Sequence, residues 1–374
     1  MEKKKVLFTA TVVKTHIMEF HLPYLKMLKQ MGWDTAVASK NDYENPSELD
    51  IPNCDEYFNI PFARNPLKPD NLRAYRMLKK VIDEGGYDII HTHTPVGAIL
   101  TRLAARKARK KGCRVIYTAH GFHFFKGAPL LNWLIYFPAE WLCSFLTDVL
   151  VTINKEDYAF AQKHMHPKKT VYIPGVGVDI SRFGIHGDSR QEMRRQLGFR
   201  EDDFVLLSVA ELTKNKNHGM VLEALAKLNK PDIHFVCAGR GEQMEPLKAH
   251  IARLNLGDRV HMLGYRNDVG KLYAMADAFV FPSFREGLSV SLMEAMASGL
   301  PSIVSQIRGN TDLIDDGVEG IYTPITADGI AASVLRLYSD AGLRERCSDA
   351  AREKVKQFSL EPILQAVKAL YLEA

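Results

Sequence analysis

The stretch Phe281-Pro282-Ser283-Phe284-Arg285-Glu286-Gly287-Leu288-Ser289-Val290-Ser291-Leu292-Met293-Glu294-Ala295-Met296-Ala297-Ser298-Gly299-Leu300-Pro301 decides how this chain is read. It opens at the end of an apolar, strand-like run, Ala278–Pro282, and crosses a short polar loop. It then enters an apolar segment that reads as a helix of roughly three turns beginning near Leu288. Gly299 and Pro301 stop that helix. Strand, loop and helix in this order form part of a parallel βαβ unit. In open α/β sheets ligands bind beyond the carboxyl ends of the strands. A helix start there presents backbone N–H groups and the positive end of a dipole, which suits a phosphate. Gly287 lets a ligand come close to the backbone. Glu286 stands ahead of that site. Glu294 lies inside the helix among Leu292, Met293, Ala295 and Ala297, where a carboxylate needs a partner. Both accept hydrogen bonds from hydroxyls, and a nucleotide sugar carries hydroxyls on either side of its diphosphate. The spacing of the two glutamates alone is weak, because such pairs also occur on ordinary helix surfaces.

Outward from this segment, strand-like runs alternate with helical patterns along the whole chain. The first half predicts strands at Val6–Val12, Thr35–Ser39, Tyr57–Ile60, Ile89–His93, Arg114–Thr118, Val149–Ile153 and Val171–Ile173. Helices are predicted at Asn71–Glu84 and at Val96–Lys111, the latter with Val96, Ile99, Leu100 and Leu103 on one face. The turn-rich Pro174-Gly175-Val176-Gly177-Val178-Asp179 marks a connection, and a polar helix follows near Ser189–Leu197. Strands then resume at Phe204–Val209, His234–Ala238, Val260–Leu263, Ala278–Pro282 and Ser302–Ser305. The fold class is therefore α/β, with two doubly wound, Rossmann-like domains. At 374 residues the chain is long enough for both. Two such domains facing each other place a cleft between the carboxyl ends of both sheets.

Composition narrows the function classes. Hydrophobic residues make up 46% and charged residues 25%, as in an ordinary globular protein. The net charge of +5 is too small to argue for nucleic acid. Five cysteines stand far apart with no C-x-x-C pair, which fits reduced thiols in a cytosolic protein. Lys3, Lys4 and Lys5 precede an apolar run that Lys14 and His16 end early, a first strand rather than a signal peptide. Pro129–Val151 is interrupted by Asn132, Pro138, Glu140 and Asp148, too often to span a bilayer. No G-x-G-x-x-G follows the first strand, so a nicotinamide dehydrogenase is not expected. There is no P-loop and no D-x-D pair to hold a metal-chelated nucleotide sugar.

The segment Glu286-Gly287-Leu288-Ser289-Val290-Ser291-Leu292-Met293-Glu294 resembles the E-x7-E signature of glycosyltransferase family 4. The likeness extends over nearly the whole chain, through Thr118–His123, Pro174–Asp179, Glu211–His218, Ala238–Gly241, Leu263–Asp268 and Ile307–Asn310. Ala119–Glu140 is similar to bacterial exopolysaccharide, capsule and lipid-linked oligosaccharide transferases. The resemblance implies the GT-B fold, with domains at 1–178 and 179–357 and a C-terminal helix at 358–374 packed back on the first. It also implies retaining, metal-independent transfer with no cofactor, the nucleotide diphosphate sugar serving as co-substrate. On this pattern Glu286 contacts the donor sugar, Glu294 the ribose, and Lys216 the diphosphate. A cation there stabilises the leaving charge, whereas a lysine at a helix start has little structural reason to be there. Gly264, Tyr265 and Arg266 form the base-reading loop, largely through backbone groups. His120, just after Arg114–Thr118, lies beside the sugar, aligning it or placing a carbonyl against developing positive charge. The chain departs from the family at Glu211, where many members have a diphosphate-binding arginine. Lys214, Arg240 and Arg308 are the candidates to replace it. The first-strand loop also lacks the family's frequent glycine pair.

His91, His93, His120 and His123 form H-x-H and H-x-x-H at neighbouring strand ends. No cysteine or H-E-x-x-H supports zinc, and no metal site is expected.

The resemblance further implies a uridine diphosphate donor, an undecaprenyl-diphosphate-linked saccharide acceptor, and a cytoplasmic protein peripheral on the inner face of the cell membrane. Arg102, Arg106, Lys107, Arg109, Lys110, Lys111 and Arg114 are expected to face outward and meet anionic lipid. The aromatic-rich Phe122–Trp141 segment, with Phe124, Phe125, Trp133 and Lys126, is a candidate to lie in the interface plane. Two rival readings remain: a sugar-nucleotide 2-epimerase, and a catalytically silent partner in a polysaccharide assembly complex.

Overall fold

The computed structural model describes residues 3–184 and 187–373, with the backbone alone for 187–189. It divides into two units. One runs to Gly177 and takes up the chain again at Glu361; the other is Val178–Leu360.

The first unit holds seven parallel strands: β1 (Lys5–Val12), β2 (Asp34–Lys40), β3 (Glu56–Asn59), β4 (Ile89–His93), β5 (Arg114–Ala119), β6 (Val149–Thr152) and β7 (Lys169–Tyr172). Their order is β3-β2-β1-β4-β5-β6-β7. The strands are near-continuous apolar runs because helices cover both faces of the sheet. On one face Phe8, Ile89, Ile116 and Val149 pack with Tyr24, Leu25 and Leu28. On the other Leu7, Ala36, Ile90 and Val115 pack with Ala74, Leu78 and Ile82. The C-terminal helix Leu360–Leu372 closes the first face with Ile363, Val367, Leu370 and Tyr371. Tyr371 Oη lies 2.6 Å from His91 Nδ1, and Arg114 Nη1 donates to the Leu370 carbonyl at 2.7 Å.

The second unit holds six parallel strands: β8 (Phe204–Val209), β9 (Ile233–Ala238), β10 (Val260–Gly264), β11 (Ala278–Phe281), β12 (Ser302–Ser305) and β13 (Gly320–Thr323). Their order is β10-β9-β8-β11-β12-β13. In each sheet the winding reverses once, between β1 and β4 and between β8 and β11. Loops leaving those strands part in opposite directions and open a crevice. In the second unit β8 leads to Glu211–Lys216 and β11 to Pro282–Glu286, so both candidate loops meet at its switch point.

Several expectations need correction. Strand β13 was not predicted: Gly320-Ile321-Tyr322-Thr323 is short and opens on glycine. That glycine is required, since a Cβ there would stand 2.2 Å from the Ser302 carbonyl oxygen on β12. The helix expected over Val96–Lys111 is two helices, Pro95–Ala104 and Arg106–Lys110, broken at Ala105. Ile99, Leu100 and Leu103 are only half-buried, while Ala98, Thr101 and Arg102 turn inward.

The basic face is accordingly smaller than expected. Arg102 is 1% exposed and pairs with the equally buried Glu140 at 2.7 Å. Its guanidinium lies 4.2 Å from the Tyr117 ring centroid, and Tyr117 Oη donates to the other Glu140 oxygen at 3.1 Å. Arg109 is tied to Asp148 at 3.0 Å and to the Phe145 carbonyl. Arg106, Lys107, Lys110 and Lys111 are left as exposed cations. Phe122 and Phe124 are buried with Tyr117 and Leu150 rather than offered to an interface. The exposed apolar side chains lie farther along, on the helix Leu130–Ser144 and just after it: Leu130 73%, Leu131 64%, Leu134 66%, Leu142 60% and Phe145 49%.

Candidate active site

In the second unit the chain leaves β8 through an exposed Glu211, turns at Lys214–Lys216 in one 3-10 turn, and starts a helix at His218. Asn217 makes the corner with a positive φ of 57°, which asparagine tolerates. The loop after β11 lies against it. The Phe284 amide donates to the Asn215 carbonyl at 2.9 Å, and Asn215 Nδ2 to the Arg285 carbonyl at 2.8 Å. These bonds set Lys216 Nζ 2.7 Å from Glu286 Oε1, with both side chains largely buried. The ammonium also sits 4.6 Å from the Phe281 ring centroid. A cation and a carboxylate separated by seventy positions in sequence are thus held together at the switch point.

The helix Val290–Ala297 begins two residues later than expected and makes about two turns rather than three. Ser289 caps it: its Oγ accepts the Leu292 amide at 3.3 Å, and its carbonyl accepts the Met293 amide. The Leu292 and Met293 amides are thus taken within the turn, and Leu288 and Ser289 belong to the capping turn. Gly309 supports this turn from β12's loop. It has a φ of 82°, and a Cβ would come within 2.5 Å of the Gly287 carbonyl oxygen. Arg308 Nε donates to the Glu286 carbonyl at 3.3 Å.

Glu294 is half-buried and accepts from Tyr273 Oη at 3.0 Å. The same hydroxyl lies 3.0 Å from the Ser291 carbonyl. Burial first, then the Glu294 carboxylate, pushes the Tyr273 hydroxyl well above its ordinary pKa, so it stays a donor. Sequence reasoning missed Tyr273. It lies in an apolar helix, Val269–Met275, where nothing distinguishes it from a core aromatic.

Strand β10 ends on Gly264, and the loop after it carries an exposed Tyr265 and Arg266. Arg266 is pinned by two bonds to Asp268, 2.7 and 2.6 Å. The Gly264 carbonyl accepts the Gly239 amide at 2.8 Å, which joins this loop to the one after β9. Gly239 itself approaches the Ala210 carbonyl so closely that a Cβ would stand 1.8 Å from it. Of the candidates to replace the missing arginine, Arg308 reaches the Glu286 backbone. Arg240 lies 5.1 Å over the Tyr265 ring. Lys214 is exposed on the rim of a pocket of about 290 Å³ lined also by Asn217, Gln243 and Phe284.

In the first unit His120 follows β5, but its neighbours are not those its sequence spacing suggested. His91 turns away to Tyr371 and Thr118, and His123 packs on Tyr136 with ring centroids 4.6 Å apart. His93 and His120 instead join His16 and His21, which come from the segment after β1. That segment is a single π-helical stretch, Val13–Met18, followed by the helix Leu22–Gln30. Burial lowers the His120 pKa to about 4 and that of His91 to about 3. It pushes His16, His21 and His93 well below the ordinary histidine value. Beside them, between the ends of β1 and β4, is a pocket of about 260 Å³ lined by Thr11, Thr15, His16, Arg64, His123 and Tyr136.

Comparison with known proteins bears on this arrangement. Residues 5–153 match the family model described as glycosyl transferase 4-like, and residues 189–354 match that of glycosyl transferases group 1. The chain is 41% identical over 373 residues to the putative glycosyltransferase EpsD of Bacillus subtilis, covering 98% of this chain and 96% of that one. It is 30% identical to the Escherichia coli UDP-Gal:alpha-D-GlcNAc-diphosphoundecaprenol alpha-1,3-galactosyltransferase, covering 85% and 83%. Among solved structures, Anabaena HepE in complex with UDP and glucose superposes with a TM-score of 0.83 at 21% identity, covering 99% and 100%. WaaG, a glycosyltransferase involved in lipopolysaccharide biosynthesis, gives 0.78 at 18% identity, covering 97% and 98%. Two Rossmann-like parallel-sheet domains of the GT-B kind, matched in succession by both transferase models and along almost its full length by EpsD, place this chain in the glycosyltransferase family.

Proposed function

We propose that this glycosyltransferase moves a sugar from a uridine diphosphate donor to a lipid-diphosphate-linked saccharide, with retention of configuration, in bacterial surface polysaccharide synthesis. The observation that carries the reading is the Lys216–Glu286 pair beside the capped start of Val290–Ala297. An ammonium and a helix N-terminus together suit a departing diphosphate without a metal. The adjoining carboxylate suits sugar hydroxyls. Binding exchanges the internal ion pair for donor contacts: Lys216 turns to the diphosphate with Lys214 as a second cation, and Glu286 takes the sugar. Glu294, oriented by Tyr273, accepts from the ribose, and backbone groups of Gly264, Tyr265 and Arg266 meet the base. Gly287, Leu288 and Ser289 line the phosphate turn. In the transfer the bond from the anomeric carbon to the diphosphate oxygen breaks, and a bond to the acceptor oxygen forms on the same face. The acceptor proton passes to the leaving phosphate oxygen. No cofactor is required, and the His120 carbonyl supplies negative potential as positive charge develops on the sugar.

The acceptor reading rests on the names of relatives. The E. coli galactosyltransferase and a Campylobacter jejuni diphospho-undecaprenol N-acetylgalactosaminyltransferase, 25% identical over 369 residues, both act on lipid-diphosphate-linked saccharides. No helix among the described residues is long and apolar enough to cross a membrane. The exposed Leu130, Leu131, Leu134 and Leu142 support peripheral contact with the cytoplasmic leaflet, assisted by Lys107, Lys110 and Lys111.

A thermal-shift screen of uridine and guanosine diphosphate sugars, followed by transfer to undecaprenyl-diphosphate-linked saccharides, tests the proposal. Stabilisation by a uridine donor and acceptor-dependent release of UDP with an α-linked product support it. Donor isomerisation without an acceptor would make the protein an epimerase, and binding without any turnover a silent partner.

A further inference from the structure

Four imidazoles meet in the first unit from three separate places in the chain: His16 and His21 after β1, His93 at the end of β4, and His120 after β5. His21 and His93 are fully buried, His16 nearly so, and His120 half-buried. One ring nitrogen from each lies within 4.8 Å of all the others. The two closest approaches are His16 Nε2 to His21 Nε2 at 3.3 Å and His93 Nδ1 to His120 Nε2 at 3.2 Å. Four nitrogens bound to one tetrahedral zinc at about 2.0–2.1 Å stand roughly 3.3 Å apart. Two opposite edges of such a tetrahedron are therefore already at length; the other four are at most 4.8 Å, and the His21 and His93 rings, stacked 3.9 Å apart between centroids, must turn for their lone pairs to converge.

Hydrogen bonding alone leaves the quartet unsatisfied. Four neutral imidazoles carry four donors and four acceptors, and the two inter-ring contacts pair only half of them. The two contacts use His21 Nε2 and His93 Nδ1; the opposite nitrogens of the same rings, His21 Nδ1 and His93 Nε2, are buried with no hydrogen-bond partner and are not the converging atoms. His91 offers the contrast: it stands in the same cluster of rings, 4.3 Å from His93 between centroids. Both its nitrogens are taken, by Tyr371 and Thr118. The four that converge lean on one another instead, through the two inter-ring contacts. Among the described residues no carboxylate or thiol joins them, which disfavours magnesium and calcium and favours an imidazole-preferring divalent cation.

We propose that His16, His21, His93 and His120 bind a single zinc-like divalent transition metal. It clamps the segment after β1 to the ends of β4 and β5, beside the pocket of the first unit. The metal holds the His120 ring and with it the backbone of the following loop. It takes no part in sugar transfer, for which His120 offers its carbonyl. The proposal therefore stands or falls apart from the assignment of donor and acceptor.

The test uses the full chain, stripped with a chelator and titrated with cobalt(II) at neutral pH. One equivalent should give the intense visible bands of a tetrahedral site and be displaced by zinc. X-ray absorption of the zinc form should show four nitrogen scatterers at about 2.0–2.1 Å and no sulfur. His21→Gln and His93→Gln should each abolish the cobalt bands, whereas His123→Gln should keep them. Weak octahedral bands only, sulfur in the zinc shell, or undiminished binding in the folded His21 and His93 variants would overturn the proposal. The absorption measurement on the unsubstituted chain decides the matter if those variants fail to fold.

Discussion

At the scale of single residues, the Lys216–Glu286 contact is the most informative feature, because it joins a cation and a carboxylate from two loops at the switch point of the second sheet. Lys216→Ala should lower kcat/KM for the donor by about a hundredfold or more, the usual cost of removing a group that stabilises transition-state charge. Glu286→Ala should do likewise. Both variants should keep a cooperative thermal transition, lowered but not lost, because the partner left behind is largely buried yet lies on a loop outside the core. Near-normal turnover in either would remove that residue from the site. Tyr273→Phe is a finer probe. It deletes only the hydroxyl that holds Glu294, so it should raise the donor KM several-fold more than it lowers kcat. Steady-state kinetics with varied donor separates the two effects.

At the scale of elements, the helices Pro95–Ala104 and Leu130–Ser144 are locked by the buried Arg102–Glu140 pair. Removing one member of such a pair strands a buried charge and costs about 3–5 kcal/mol. Glu140→Ala should therefore destabilise the first unit by that amount in denaturant unfolding, with the second unit's transition unmoved. A cost below about 1 kcal/mol would mean that water reaches Arg102. The same helix presents its apolar side outward. Replacing Leu131 and Leu134 with Ser should weaken flotation with anionic liposomes while leaving the stability of the free protein nearly unchanged. If both residues supported the fold instead, stability would fall and flotation would not change selectively. Elements of this kind explain part of what the sequence hid. The basic run Arg102–Arg114 reads as one outward stripe, yet Arg102 lies on the buried side once the helix breaks at Ala105. The pattern of charges cannot reveal the buried glutamate, thirty-eight positions away, that makes this tolerable.

At the scale of the whole molecule, the C-terminal helix is part of the first unit's core. Ile363, Val367, Leu370 and Tyr371 are each at most 4% exposed. Burying a large apolar side chain is worth about 1.5–3 kcal/mol, so these four together approach the whole stability of a domain. Truncation after Leu360 should leave the first unit unfolded and the second intact, as read by hydrogen exchange unit by unit. Acid sensitivity is also distributed over both units. His91 titrates near 3 and His218 near 4 in the fold, lowered first by burial. Unfolded, both titrate near 6.5, so the unfolded chain binds more protons between these values. Their contribution is complete above about pH 6.5 and is lost as pH falls towards 4. The melting temperature should fall over that window, and His218→Gln should flatten the fall for the second unit. A melting temperature independent of pH across the window would show that these histidines titrate in the fold as they do in the unfolded chain.

The sequence by itself determined what depends on local pattern: apolar runs at strand spacing, helix stops such as Gly299 and Pro301, and the order in which strands and helices alternate. Those patterns are short-range, and they were enough for the α/β class and for the loop that carries Glu286. Short β13 escaped because its glycine serves the neighbouring strand rather than its own segment. Only the tertiary structure decided which distant side chains meet. It set Lys216 against Glu286, Tyr273 against Glu294, and His16 and His21 against His93 and His120, while turning His91 and His123 elsewhere. Each meeting follows from strand order and from where the winding of each sheet reverses. That reversal is fixed by how whole helices pack on both faces, a sum over many long-range contacts that no local spacing records.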